Sequence, residues 1–111
     1  MDIEKEKLAI TCFNYIKHHY TEQITLDDVA KAAFISKWYV CNILKEVYEI
    51  NFMTILHTYR IEEAKRLIKQ KITFKELPGL LGYNDYSSFH RMFKKLTGRT
   101  PNQFKLLFKE G

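Results

Sequence analysis

A chain of 111 residues suffices for one domain or two very small ones sharing a linker, and 46% apolar content is too high for a disordered segment. No apolar run approaches the roughly 18 residues a membrane span needs, and the charged start Met1-Asp2-Ile3-Glu4-Lys5-Glu6 has no apolar signal-peptide stretch. The net charge of +5 is uneven: residues 1–59 hold six Lys/Arg against eight Asp/Glu and residues 60–111 hold twelve against five, so the basic surplus of the second half favours a polyanionic partner, most often nucleic acid.

The apolar spacing is helical throughout, and the sequence predicts an all-α fold of about seven helices. Ala9, Cys12, Phe13, Ile16 and Tyr20 line one face of the first. Leu26, Val29, Ala30 and Ala33 line a short second helix with Thr25 as N-cap, and Val40, Ile43, Leu44 and Val47 a third capped by Ser36. A long fourth helix runs from about Phe52 to Lys69. Phe74, Leu77, Pro78 and Leu81 mark a fifth, with a capping-box spacing of Thr73 and Glu76 at its start. On that reading Pro78 lies past the first turn, kinks the helix and leaves the Phe74 carbonyl unpaired, so alanine there should stabilise the fold. Phe89, Met92, Phe93 and Leu96 line a sixth helix, which Gly98 ends, and Pro101 opens a seventh containing Phe104, Leu107 and Phe108. Cys12 and Cys41 sit in helical patterns and suggest no disulfide framework, which fits a reduced, cytoplasmic compartment.

An internal repeat runs through these elements. Leu26, Val29, Ala30 and Ala33 shifted by 48 give Phe74, Leu77, Pro78 and Leu81; Val40, Ile43, Leu44 and Val47 shifted by 49 give Phe89, Met92, Phe93 and Leu96. Each copy is a short helix, a tight turn and a longer helix, which is a helix-turn-helix, and the second turn is one residue longer. The predicted organisation is a first helix-turn-helix subdomain over residues 1–50, a linker helix over 51–70 and a second subdomain over 71–111. At 1.5 Å per residue the helix from Phe52 to Lys69 spans about 27 Å, close to the roughly 34 Å between successive major grooves on one face of B-DNA.

A recognition helix needs an apolar face to dock on its own domain and an opposite face that meets base edges and phosphates. The sixth helix supplies Tyr86, Ser87, His90 and Arg91 for base edges, Arg91 with two parallel donors for guanine, and Lys94 and Lys95 for phosphates. The third offers Trp38, Cys41 and Asn42 for bases and Lys37 and Lys45 for phosphates. Trp38 has a plainer reading as a cover for the edge of the core, and Cys41 as a space-filling thiol. The sequence offers no phosphate-cradling glycine loop, no Cys/His metal spacing and no nucleophile arrangement around His18, His19, His57 or His90, so neither an enzyme nor a bound cofactor or metal is expected.

The run Leu81-Gly82-Tyr83-Asn84-Asp85-Tyr86-Ser87-Ser88-Phe89-His90-Arg91-Met92-Phe93-Lys94-Lys95-Leu96-Thr97-Gly98-Arg99-Thr100-Pro101 resembles the DNA-binding domain of the AraC/XylS family of bacterial transcription regulators. The likeness extends from about Ile10 to Phe108, more loosely through Thr25-Leu26-Asp27-Asp28-Val29-Ala30 and Ser36-Lys37-Trp38-Tyr39-Val40, and through Arg60, Ala64 and Leu67 in the linker. It implies sequence-specific reading of double-stranded DNA by two recognition helices in successive major grooves, with Trp38, Cys41, Asn42, Tyr86, Ser87, His90 and Arg91 at the base-reading positions. Many relatives carry an effector-sensing or dimerisation domain ahead of this one, which nothing in this chain resembles. Three positions depart from the family pattern: Asn42 stands where arginine is common, Glu49 where glycine often ends the helix, and Pro78-Gly79 where alanine and one variable residue are usual. Pro78 and the acidic first half leave open a competing reading, a degenerate helix-turn-helix pair that acts through protein contacts with a regulator or RNA polymerase.

Overall fold

The computed structural model describes residues 2–108. Among them are seven helices, α1 (Ile3–His19), α2 (Leu26–Ala33), α3 (Lys37–Tyr48), α4 (Phe52–Lys69), α5 (Leu77–Leu81), α6 (Tyr86–Thr97) and α7 (Pro101–Leu106), and no strand. The chain divides into two compact units, Met1–Leu56 and His57–Gly111, with the boundary inside α4.

In the first unit Ala9, Cys12 and Ile16 of α1 are buried, as are Val29, Ala30 and Ala33 of α2 and Val40, Ile43 and Leu44 of α3. Burial pushes the Cys12 thiol up to about 11, so it behaves as a small apolar side chain. Each helix begins where a side chain accepts from otherwise orphaned backbone N–H groups. Asp2 caps α1, Thr25 and Asp28 form a reciprocal capping box on α2, Ser36 accepts from the Tyr39 N–H, and Asn51 accepts from the Thr54 N–H. A surface ion pair from Lys5 to Glu46, 3.2 Å, ties α1 to α3.

The second unit packs Ile61, Ala64 and Ile68 of α4 with Leu77 and Leu81 of α5, Tyr83, Phe89 and Phe93 around α6, and Phe104 of α7. The aromatic rings stack in series, Phe89 on Phe93 at 5.7 Å and Phe93 on Phe104 at 5.5 Å. The seventh helix stops at Leu106, short of the predicted Leu107 and Phe108, which are exposed. Phe108 instead lies against Phe104, with the Lys69 ammonium 4.7 Å from its ring.

The repeat reaches down to single hydrogen bonds. In the first helix-turn-helix, Phe34 adopts the left-handed conformation and the Ile35 N–H donates to the Ala30 carbonyl at 3.1 Å. Forty-eight residues on, Gly82 is left-handed and the Tyr83 N–H donates to the Pro78 carbonyl at 2.8 Å. The longer helices α3 and α6 are then capped by Ser36 and Asp85, so the extra residue of the second turn is Asn84.

The two copies differ at the start of their first helices, and Pro78 is the cause. The fifth helix begins at Leu77, three residues later than Phe74, because an α-helix from Phe74 would need an N–H at Pro78. Residues 74–76 form a turn in which Glu76 N–H donates to the Thr73 carbonyl at 3.1 Å. Thr73 and Glu76 still meet, hydroxyl to carboxylate at 3.1 Å, but they do not cap the helix. Pro78 thus sits in the first turn, where a missing N–H costs nothing. Pro78→Ala should therefore leave the thermal midpoint nearly unchanged rather than raise it.

Glu49, at the end of α3, is left-handed with φ 58°. That conformation costs an L-residue roughly 1–2 kcal/mol, against about 0.5–1 kcal/mol for the extra unfolded-state freedom of glycine. Glu49→Gly should therefore stabilise the first unit by about 0.5–1 kcal/mol, visible as a thermal midpoint a few degrees higher. A lower midpoint would mean that the Glu49 side chain makes a compensating contact.

Candidate nucleic-acid interface

The outer face of α6 is built by its inner one. Phe89 and Phe93 are fully buried, which turns Tyr86, Ser87, Arg91, Lys94 and Lys95 outward, with His90 half-buried beside them. Asp85 fixes the start of the helix by accepting from the Ser88 N–H at 2.7 Å. That bond, with a second from the Ser88 hydroxyl, holds the Asp85 carboxyl below the usual carboxylate range. Tyr86 is less free than its neighbours: its ring lies 6.3 Å from Phe74 and edge-on to Phe89 at 5.7 Å, and burial raises its phenol. Leu96, predicted for the docking face, is 41% exposed at the end of the helix.

On α3, burial of Val40, Ile43 and Leu44 leaves Lys37, Trp38, Cys41, Asn42 and Lys45 exposed together. Trp38 is 72% exposed and so does not cover the core, and Cys41 is exposed rather than space-filling. Phe34, at the turn just before this helix, is 94% exposed.

Sequence reasoning missed a group behind α6. His57 Nδ1 lies 2.7 Å from the Tyr83 hydroxyl, and the two rings stack at 5.5 Å. The buried Arg60 guanidinium lies 5.0 Å from the Tyr83 ring centre and hydrogen-bonds the phenol oxygen. Burial pushes the Tyr83 phenol up to about 12, against the pull of Arg60, so it keeps its proton. Burial also holds His57 below its ordinary value, with help from the positive charges of Arg60 and Lys95. Neutral His57 and the Tyr83 hydroxyl share one hydrogen bond at Nδ1, its direction set by the imidazole tautomer. The pair is 26 residues apart in the chain and carries no spacing signal; Arg60 and Tyr83 stood in the sequence only as parts of a family pattern.

Among the described residues, no group of three or more His, Cys, Asp or Glu side chains is placed to hold a metal ion, and no helix is long and apolar enough to cross a membrane.

Residues 29–106 match the model of a helix-turn-helix domain family. The chain is 32% identical over 93 residues to YijO, an HTH-type transcriptional regulator of Escherichia coli K12, which covers 83% of this chain but only 33% of that protein. The C-terminal domain of AraT, a response regulator from Geobacillus stearothermophilus, superposes with a TM-score of 0.88 at 26% identity, over 94% of this chain and 88% of that one. The DNA-binding domain of the global transcriptional factor AdpA, solved with a target DNA, shares the fold with a TM-score of 0.83 at 18% identity, over 90% and 91% of the two chains. Two helix-turn-helix units, each turning cationic and polar side chains of its longer helix outward, and a family match across most of the chain, place this protein in the AraC/XylS family of helix-turn-helix transcription regulators.

Proposed function

We propose that the chain regulates transcription by seating α3 and α6 in successive major grooves of double-stranded DNA and reading a specific sequence. The observation that carries this reading is the matched pair of capped helices, each docked by buried apolar residues and each presenting polar and cationic side chains outward. Arg91, Ser87, His90 and Tyr86 read bases from α6, and Trp38, Cys41 and Asn42 from α3; Lys37, Lys45, Lys94 and Lys95 meet phosphates. On this reading the protein works in the cytoplasm. RNA polymerase and an effector-sensing or dimerisation domain are its further protein contacts.

The two faces differ, so a monomer should occupy an asymmetric site of two half-elements about one helical turn apart. Selection from a random duplex library followed by nuclease protection tests this. Protection of a single groove segment, or a requirement for a palindromic dimer site, would sink it.

A protein-docking role draws support from Phe34, whose exposed ring at the first turn suits an apolar partner better than DNA. Duplex titration at two salt concentrations separates the readings, because a DNA reader loses affinity steeply as salt rises through counterion release.

A further inference from the structure

His57, Tyr83, Ser88, Arg91, Met92 and Lys95 line a cleft of about 370 Å³ that lies wholly within the second unit. Its chemistry is lopsided. Its wall is mostly apolar, Arg91 and Lys95 of α6 are the charged residues on it, and no carboxylate lines it. The charged and titratable groups around His57 are Arg60 from its own helix, Tyr83 from the turn before α6 and Lys95 from α6, with Arg91 elsewhere on the cleft wall. His57 meets Tyr83 through Nδ1, which leaves Nε2 as the ring's other polar atom.

We propose that this cleft seats one backbone phosphodiester of duplex DNA between His57 and Lys95, and that seating it draws a proton from solvent onto His57. The inference rests on the DNA-binding reading above and adds a site and a proton linkage to it.

Without DNA, His57 has burial and the positive charges of Arg60 and Lys95 against it, and neutrality is its cheapest state. A phosphodiester reverses that balance, because its negative charge lies between the imidazole and the Lys95 ammonium. The charged ring carries a proton on both nitrogens, and the Tyr83 oxygen accepts from both His57 and Arg60. Nε2–H then becomes a charge-assisted donor to a phosphate oxygen. Tyr83 keeps its own proton throughout, since burial holds its phenol far above neutral pH. Bound DNA thus raises the proton affinity of His57, and by reciprocity acid raises the affinity for DNA.

The test uses the whole 111-residue chain and a duplex recovered by selection from a random library, at constant ionic strength from pH 8 to pH 6. Affinity should rise several-fold as the pH falls; one linked proton sets a ceiling of about tenfold per pH unit. His57→Gln, which can still hydrogen-bond Tyr83, should lose most of that rise while His18→Gln, on the exposed surface of α1, keeps it. In the wild-type protein, the His57 ring proton resonance should titrate at higher pH with DNA than without. An equal pH slope in His57→Gln, or an identical His57 titration with and without duplex, overturns the proposal and leaves DNA binding standing. Failure of any duplex to bind at any pH overturns both.

Discussion

Phe89→Ala is expected to destabilise the second unit by about 3–5 kcal/mol, the usual cost of emptying a buried phenylalanine site. Phe89 is fully buried at the point where three rings converge, Tyr83 at 6.0 Å, Tyr86 at 5.7 Å and Phe93 at 5.7 Å. A unit of this size has a net stability of only a few kcal/mol, on the order of 0.1 kcal/mol per residue, so the loss approaches the whole. Hydrogen exchange should show protection lost across α5, α6 and α7. Val40, Ile43 and Leu44 belong to the other unit's core and should keep theirs. Equal loss of protection in both units would mean that the chain folds as a single cooperative body.

The second large effect separates two roles on α6. Arg91 is exposed one turn into the helix, where a side chain reaches the groove floor; Lys94 and Lys95 follow a turn later, nearer the phosphates. Arg91→Ala should weaken binding to the selected site by about 1–3 kcal/mol and relax preference at one base pair, with guanine the expected partner. Lys95→Ala should weaken selected and random duplexes about equally and flatten the salt dependence by about one unit of slope. Each variant would be measured on the selected site, on a one-base variant of it and on random duplex. If Arg91→Ala lost the same affinity on all three, Arg91 would be a phosphate clamp and base reading would have to come from other residues of the helix.

Periodicity and caps made most of this fold legible before any coordinates. Thr25, Ser36 and Gly98 sit at the helix ends the sequence predicts, because capping is local chemistry that three or four residues settle. Pro78 misled because the apolar repeat extended the fifth helix back to Phe74, whereas the proline's missing N–H moved the start forward to Leu77. The exposed faces of α3 and α6 followed from the apolar spacing, but the degree of exposure did not: nothing local decides whether Trp38 folds back on the core. The cleft was invisible for a different reason. His57 and Tyr83 meet only once α4 packs beside the turn that leads into α6, and a contact across 26 residues leaves no period to read.

The left-handed turns bear on how such a reader can change. The hydrogen bonds that close them, Ile35 to Ala30 and Tyr83 to Pro78, are made by main-chain atoms, which are the same whatever side chains stand there. One copy spends phenylalanine on the left-handed position and the other glycine, and the turn closes both times. The closure of each turn is therefore carried by main-chain atoms that most substitutions leave in place, while the letters facing outward are free to vary. Two units of common design can drift toward different vocabularies without either losing its grammar.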